Sequence, residues 1–292
     1  MRFKSLNFKR LLLWLAVVVL ALAFLLYFVL PAALGVAAVI PAQSPSGDAP
    51  EGFEPITLQT SDGISLAGWY SAPQNSNAVI LLHGAGGSRE AVRPYAEMLK
   101  RNGYGVLAVD LRGHGASGGP TNRLGWQGTH DVGAAVAFLE SRPEVKRIAG
   151  LGLSLGGEVL LGAAAEFPAV EAIVTDGATR RSLEELLALP SERPLVRNFT
   201  ARVMYATVQA LTGQSPPMPL LESMSQAGST EFLLIAAGEE EMEVKFNQLF
   251  ADTLGERARL WVALGAPHTA AFGLFPDVYE QRVVSFFDDQ LN

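Results

Sequence analysis

Apolar and polar positions divide the chain into three stretches with different periodicities. From Leu11 to Leu30 there are 20 consecutive residues without a charge, and the apolar run continues past Pro31 to Ile40. Twenty helical residues at about 1.5 Å each match a hydrocarbon core about 30 Å thick. A buried core helix would show one polar face, and this segment shows none. The composition then changes to Pro, Ala, Gly, Ser, Asp and Glu, which buries little apolar surface and predicts a flexible linker over 41–52. Beyond Phe53 the period becomes two. Ile56 and Leu58 alternate with Thr57 and Gln59, Ser61-Asp62-Gly63 offers a turn, and the alternation resumes from Ile64 to Trp69, predicting a hairpin with one wet face.

The remainder alternates short, almost wholly apolar runs with longer stretches of helical spacing. Runs of that kind fit strands of a parallel sheet covered on both faces. Strands are predicted at Ala78 to Leu82, Gly105 to Val109, Arg147 to Leu153, Ala172 to Thr175, Phe232 to Ala236 and Arg259 to Ala263. Helices are predicted at Ser88 to Asn102, Gly128 to Arg142, Leu155 to Glu166, Glu243 to Gly255 and Pro276 to Leu291. This is an α/β class chain with a mostly parallel central sheet flanked by helices. Between Gly177 and Ser229 a strand is overdue. Two helical patterns appear instead, at Ser182 to Leu189 and Leu195 to Leu211, with Pro194 suited to a first helical turn and Gly213 to a helix end. Residues 179–229 therefore read as a helical cap insertion in a domain spanning 53–292, with residues 1–40 as a transmembrane anchor.

Charge and composition narrow the functional classes. The formal net charge of −7 argues against nucleic acid, whose phosphates require a basic face. No cysteine is present, which excludes disulfides, thiol nucleophiles and cysteine metal sites. Lys4, Lys9 and Arg10 precede the apolar run, and no Lys or Arg follows until Arg89. The positive-inside bias then keeps the N-terminus cytoplasmic and the catalytic domain extracytoplasmic. A cleaved signal peptide is the rival reading; Ile40-Pro41-Ala42 offers it only a poor cleavage site, and the run exceeds an ordinary h-region.

Gly152-Leu153-Ser154-Leu155-Gly156 follows an apolar strand and opens a helix, the context in which G-x-S-x-G places an exposed nucleophile on a tight turn. A phosphate loop would want a Lys at the helix start, whereas Gly157, Glu158 and Val159 follow. Serine is a weak nucleophile without an imidazole to take its proton. Of the four histidines, His268 lies in a loop beyond the last predicted strand, at the carboxyl edge of the sheet. His83 and His114 sit in Gly-rich turns and read as structural rings; His130 begins a helix and reads as a surface or capping residue. For the acid that orients the imidazole, Glu241 within Gly238-Glu239-Glu240-Glu241 is the first choice and Asp176, which ends the preceding strand, the alternative. Asp110 precedes the serine and is taken as a structural carboxylate. His83-Gly84-Ala85-Gly86-Gly87 can turn backbone N–H groups toward a developing oxyanion, so the N–H groups of Ala85 and Leu155 are the expected pair.

Taken together, these motifs resemble the α/β-hydrolase superfamily, in particular bacterial membrane-anchored esterase and lysophospholipase-like members of the prolyl-oligopeptidase-related type. The resemblance covers nearly all of Phe53 to Leu291. It rests on His83-Gly84-x-Gly86-Gly87, on Asp110-Leu111-Arg112-Gly113-His114-Gly115-Ala116-Ser117, on Gly152-x-Ser154-x-Gly156-Gly157 and on the histidine loop. It implies that the second motif shapes the floor of the site. It also implies an acid in a G-x-x-D pattern followed by Val, which places Glu241 and Val244 in register, with Glu standing where the family has Asp.

The chain is accordingly expected to be a serine hydrolase that cleaves carboxylic esters through an acyl-enzyme, with no metal or organic cofactor. Its expected partners are a small-molecule or lipid-like ester and a membrane reached through the N-terminal helix, not nucleic acid. Val196, Phe199, Val203 and Met204 either face the acyl pocket or bury the cap against the core. A peptidase or amidase on the same triad, and a catalytically silent membrane-anchored binding protein, are the competing functions.

Overall fold

The computed structural model describes residues 8–42, 44–120, 124–190 and 194–291. It divides into two compact units: residues 1–39 with 190–214, and residues 40–189 with 215–292.

The larger unit is built on one sheet of eight strands: β1 (Glu54–Gln59), β2 (Ser65–Ser71), β3 (Asn77–Leu82), β4 (Gly105–Val109), β5 (Arg147–Leu153), β6 (Val170–Asp176), β7 (Glu231–Ala237) and β8 (Ala258–Ala263). They lie side by side in the order β1-β2-β4-β3-β5-β6-β7-β8. The β1-β2 hairpin and the β2-β4 pair are antiparallel, and every pair from β4 to β8 is parallel. The apolar runs are continuous because both faces are covered. Along β3, Ala78, Ile80 and Leu82 enter one core layer with Val132, Leu160 and Phe246, while Val79 and Leu81 enter the other with Tyr95, Phe286 and Phe287. The predicted wet face holds for the edge strand β1; β2 lies between β1 and β4 and is buried almost throughout.

The N-terminal segment is helical from Phe8 to Val39, as α1 (Phe8–Phe24), a π-turn (Leu25–Val29) and α2 (Leu30–Val39). Pro31 explains the π-turn. It has no N–H to offer the carbonyl of Tyr27 and its ring crowds that carbonyl, so the ladder loosens one turn upstream. The other helices are α3 (Arg93–Arg101), α4 (Gly128–Glu140), α5 (Leu155–Ala163), α6 (Leu183–Ala188), α7 (Pro194–Thr212), α8 (Leu220–Gln226), α9 (Glu241–Leu254), α10 (Ala271–Leu274) and α11 (Pro276–Leu291).

Two organisational expectations are corrected. The segment expected to be a flexible linker over 41–52 is laid against the larger unit. Ala42 N–H donates to the Gly113 carbonyl (3.0 Å), Ser44 Oγ to the Gly86 carbonyl (3.0 Å), Ser46 Oγ to Asp110 Oδ2 (3.2 Å) and Gly47 N–H to Glu90 Oε2 (3.1 Å). Its composition offers little apolar surface, but its backbone and hydroxyls find fixed polar partners, which compositional reasoning does not count. The expected cap over 179–229 is likewise not one body. α6 carries a capping box between Ser182 and Glu185, and Glu185 also accepts from Leu220 N–H (2.7 Å) at the start of α8, a helix absent from the expected set. These two helices belong to the larger unit, whereas α7 belongs with the N-terminal helix. There Phe199 meets the rings of Tyr27 and Phe28 edge-on, with centroids 6.5 and 5.0 Å away. Gly35 lets α2 approach the Met204 carbonyl and Thr207, where a Cβ would lie 2.7 and 2.8 Å from its nearest atoms. Phe199, expected to face the acyl pocket or the core, thus packs on the N-terminal helix.

Candidate active site

Ser154 joins β5 to α5 with φ 48° and ψ −115°, a backbone position that costs a non-glycine residue about 1–3 kcal/mol. The neighbours are glycines for lack of space. A Cβ on Gly152 would lie 2.4 Å from the Gly156 carbonyl carbon, and one on Gly156 would lie 2.5 Å from the Leu82 carbonyl oxygen. The serine N–H donates to the Asp176 carbonyl (2.7 Å), which ties the turn to the end of β6.

His268, in the loop after β8, brings its Nε2 to 2.9 Å from Ser154 Oγ. Its Nδ1 meets a carboxylate that belongs to Glu243 and not to Glu241. Glu243 is 3 % exposed in the first turn of α9, and its other oxygen accepts from Ala237 N–H (2.9 Å) at the end of β7. Glu241, the expected acid, opens the same helix with its side chain 78 % exposed and pairs with Lys245 one turn on. Two residues along a helix turn a side chain through about 200°, so the two glutamates stand on opposite faces. The sequence did carry a signal. Glu243, Phe246, Asn247 and Phe250 are the buried residues of α9 and recur at the three-and-four spacing of a core-facing stripe.

Asp176, the alternative acid, is fully buried at the end of β6, but the ring nitrogens of His268 go to Glu243 and Ser154. Burial, reinforced by the like charge of Glu243 and opposed by His268, pushes its carboxyl up to about 7. Hydrogen bonding to Glu243 raises the His268 pKa, against a desolvation that lowers it; Asp176 and Glu240 add smaller attractive contributions. The loops around the ring are closely fitted. Gly177 has φ 82°, and a Cβ there would lie 2.9 Å from His268 Cε1. Thr269, immediately after the histidine, holds φ 53°.

The remaining motifs lie in the loops after β3 and β4. His83 is buried, with Nδ1–H donating to the Gly84 carbonyl (2.8 Å) and Nε2 accepting from Leu111 N–H (3.1 Å), so it braces the Gly-rich loop; burial lowers its pKa, which keeps the ring neutral. Gly84 runs close to Ser154, where a Cβ would be 3.4 Å from that of the serine. Ala85 follows in this loop, and Leu155 is the first residue of α5, where helix N–H groups have no intrahelical acceptor. Asp110 pairs with Arg89 and accepts from the N–H groups of Arg89 (2.5 Å) and Ala116 (2.8 Å), a structural carboxylate as expected. His114 is buried with Nδ1 3.0 Å from the Arg112 carbonyl, and His130 reaches Ser61 at the surface.

Comparison with known proteins agrees with this architecture. The family described as alpha/beta hydrolase fold matches residues 77–254. An uncharacterised protein of Mycobacterium tuberculosis is 31 % identical over 180 residues, covering 58 % of this chain and 62 % of its own length. A thiohydrolase, aneE, of Aspergillus aculeatus is 30 % identical over 187 residues, covering 59 % of this chain and 55 % of its own. The chain thus spans about three-fifths of the length of these curated relatives. Among solved structures, an esterase of Pyrococcus furiosus superposes with a TM-score of 0.70 at 26 % identity, covering 87 % of this chain and 98 % of that one. A bacterial membrane phospholipase A shares the fold, with a TM-score of 0.59 at 20 % identity over 97 % of this chain and 99 % of its own. With its sheet, its strand-to-helix turn at Ser154 and a family match over most of its larger unit, the chain belongs to the α/β-hydrolase family.

Proposed function

We propose that this hydrolase is a serine esterase that works through an acyl-enzyme, with Ser154 as nucleophile, His268 as base and Glu243 as the acid that orients the ring. The observation that carries the reading is the 2.9 Å approach of Ser154 Oγ to His268 Nε2, with Glu243 on the opposite nitrogen. The serine oxygen attacks the ester carbonyl while its proton passes to Nε2. The Ala85 and Leu155 N–H groups receive the negative charge on the carbonyl oxygen. Collapse of the tetrahedral intermediate breaks the bond to the alcohol, which leaves with the proton from Nε2. Water then gives a proton to the same nitrogen, attacks the acyl-serine and releases the acid, with the proton returning to Ser154. Glu243 balances the imidazolium.

The N-terminal helix, long and apolar enough to cross a membrane, fixes the enzyme to a bilayer in this reading, with the N-terminus cytoplasmic and the hydrolase outside. The substrate class is a small or lipid-like ester. Thioesters, suggested by the name of the Aspergillus relative, would react by the same steps.

The test is labelling of the detergent-purified chain by a fluorophosphonate, together with hydrolysis of p-nitrophenyl esters and acyl thioesters. Labelling of the wild type that is lost in Ser154→Ala and His268→Ala supports the reading. A folded wild type that neither labels nor turns over any ester overturns it and leaves a silent binding protein.

A further inference from the structure

The N-terminal helix is longer than a bilayer requires. Its 32 residues reach about 48 Å, whereas about 20 residues cross the hydrocarbon core. Lys9 and Arg10 mark the end at which the span begins, so the core is used up near Tyr27 to Leu30, and α2 extends beyond it. Tyr27 is the kind of side chain that settles at a membrane interface.

That surplus is not bare, because α7 runs along it. Phe199 lies against Tyr27 and Phe28, while Met204 and Thr207, further along α7, lie against Gly35, further along α2. Both numberings rise together, so the helices are parallel and the start of α7 is at the level where the span leaves the hydrocarbon. Ala201, Tyr205 and Val208 form the buried face of α7. The first turn instead presents Leu195, 86 % exposed, with Val196 and Phe199 each about two-fifths exposed. The only charges in α7 are Arg197 and Arg202, and it contains no Asp or Glu. Arg197 donates to Asn198 Oδ1 (3.1 Å) and the Pro190 carbonyl (3.4 Å), and Arg202, further along, is exposed. Apolar side chains at one end, followed by an exposed arginine whose stem can lie along lipid while its head meets phosphate, are the chemistry of a lipid interface.

We propose that α7 is a second membrane contact, its first turn inserted at the headgroup–acyl boundary of the leaflet from which α2 emerges and its last turn in water. The occupant of this apolar surface is the bilayer, because α7 continues the surface of a helix that itself exposes apolar residues all round. The inference rests on the reading of the N-terminal helix as a membrane span. It adds that the insertion between β6 and β7, which leaves the sheet at the edge carrying Asp176 and Ser154, returns to the lipid. The enzyme is then held to the bilayer by two segments of chain, and its esters are drawn from the bilayer surface.

Because the chain has no cysteine, single cysteines can be placed at will. Leu20→Cys, Leu195→Cys and Leu211→Cys carry a nitroxide in the full chain, reconstituted in vesicles of phosphatidylcholine and phosphatidylglycerol. Collisions with oxygen and with a nickel chelate then give depth. The expected result is Leu20 deep in the hydrocarbon, Leu195 about 5–10 Å below the headgroups and Leu211 open to the nickel chelate, although Leu211 is itself 55 % exposed in the structure. Leu195 open to nickel, or closed to both reagents as in protein packing, overturns the proposal while a lipid-buried Leu20 leaves the anchor standing. Leu20 open to nickel removes the anchor, and the proposal with it.

Discussion

Glu243 touches the far nitrogen of the His268 imidazole and, through its second oxygen, holds the N–H that ends β7. The imidazole is therefore oriented by a carboxylate that is itself fixed to the sheet, so the longer reach of Glu relative to Asp brings no slack. Glu243→Gln should reduce kcat for ester hydrolysis by about 10³-fold or more, because the amide can hold the ring in the wrong tautomer and cannot balance its charge. Glu241→Ala, which removes only an exposed pair with Lys245, should stay within about twofold of wild type. Steady-state kinetics on the same p-nitrophenyl ester decides between them, and equal losses would return the acid's role to the helix as a whole.

The raised pKa of His268 has a signed consequence for activity. In the proposed mechanism the ring must be neutral to take the serine proton, and its hydrogen bond to Glu243 stabilises the protonated form. The acid limb of kcat/KM should lie above the ordinary histidine range near 6.5 and should move down in Glu243→Gln. A limb that does not move between the two proteins would mean that another group sets it.

Asp176 should show itself in stability. Its carboxyl holds its proton in the folded chain up to about 7, whereas the unfolded chain releases it near the ordinary 3.8 of an aspartate. Between those values the folded state binds more protons, so this group's contribution falls as pH rises, by an amount on the order of a few kcal/mol. Asp176→Asn removes that dependence. Its Tm relative to wild type should rise from pH 4 to pH 8, and a difference that is flat with pH would contradict the assignment.

Gly177→Ala tests how closely the site is fitted. The added methyl would meet the His268 ring at 2.9 Å from a backbone with φ 82°, and neither can yield without moving the base. Activity should fall at least about 100-fold while the far-ultraviolet circular dichroism remains that of wild type.

If α7 meets lipid, Leu195→Asp should slow hydrolysis of long-chain esters presented in vesicles about tenfold, the worth of removing one apolar side chain from the interface, and should leave a short soluble ester unaffected. Equal effects on both substrates would assign Leu195 to packing.

Most of the sheet was readable because strands covered on both faces are uninterrupted apolar runs. The expected bounds of β4 and β5 match the observed ones, and β3, β6, β7 and β8 lengthen by one to three residues. The approach of Ser154 to His268 was legible because a strand-to-helix turn and a loop after the last strand both lie at the carboxyl edge of the sheet. The carboxylate on the far ring nitrogen was not, because the family spacing points to Glu241 while the buried helical stripe carries Glu243. The role of α7 was hidden for a different reason. Val196, Phe199, Val203 and Met204 read as an apolar face toward the pocket or the core, whereas the buried residues are Ala201, Tyr205 and Val208, and nothing in a one-dimensional pattern says whether the partner is the sheet or a distant N-terminal helix. Hydrogen bonds from a low-complexity strap leave no periodicity at all.

That strap also determines what a released form of the enzyme would be. Cleavage just after Ile40 would free a hydrolase that still carries Ser44 against the Gly86 carbonyl and Ser46 against Asp110. Cleavage just before Phe53, where composition places the start of the domain, would free one whose Gly-rich loop beside Ser154 has lost an outside brace. Shed forms differing only in this strap would then differ in how firmly that loop is held, although the sheet, Ser154, His268 and Glu243 are common to both.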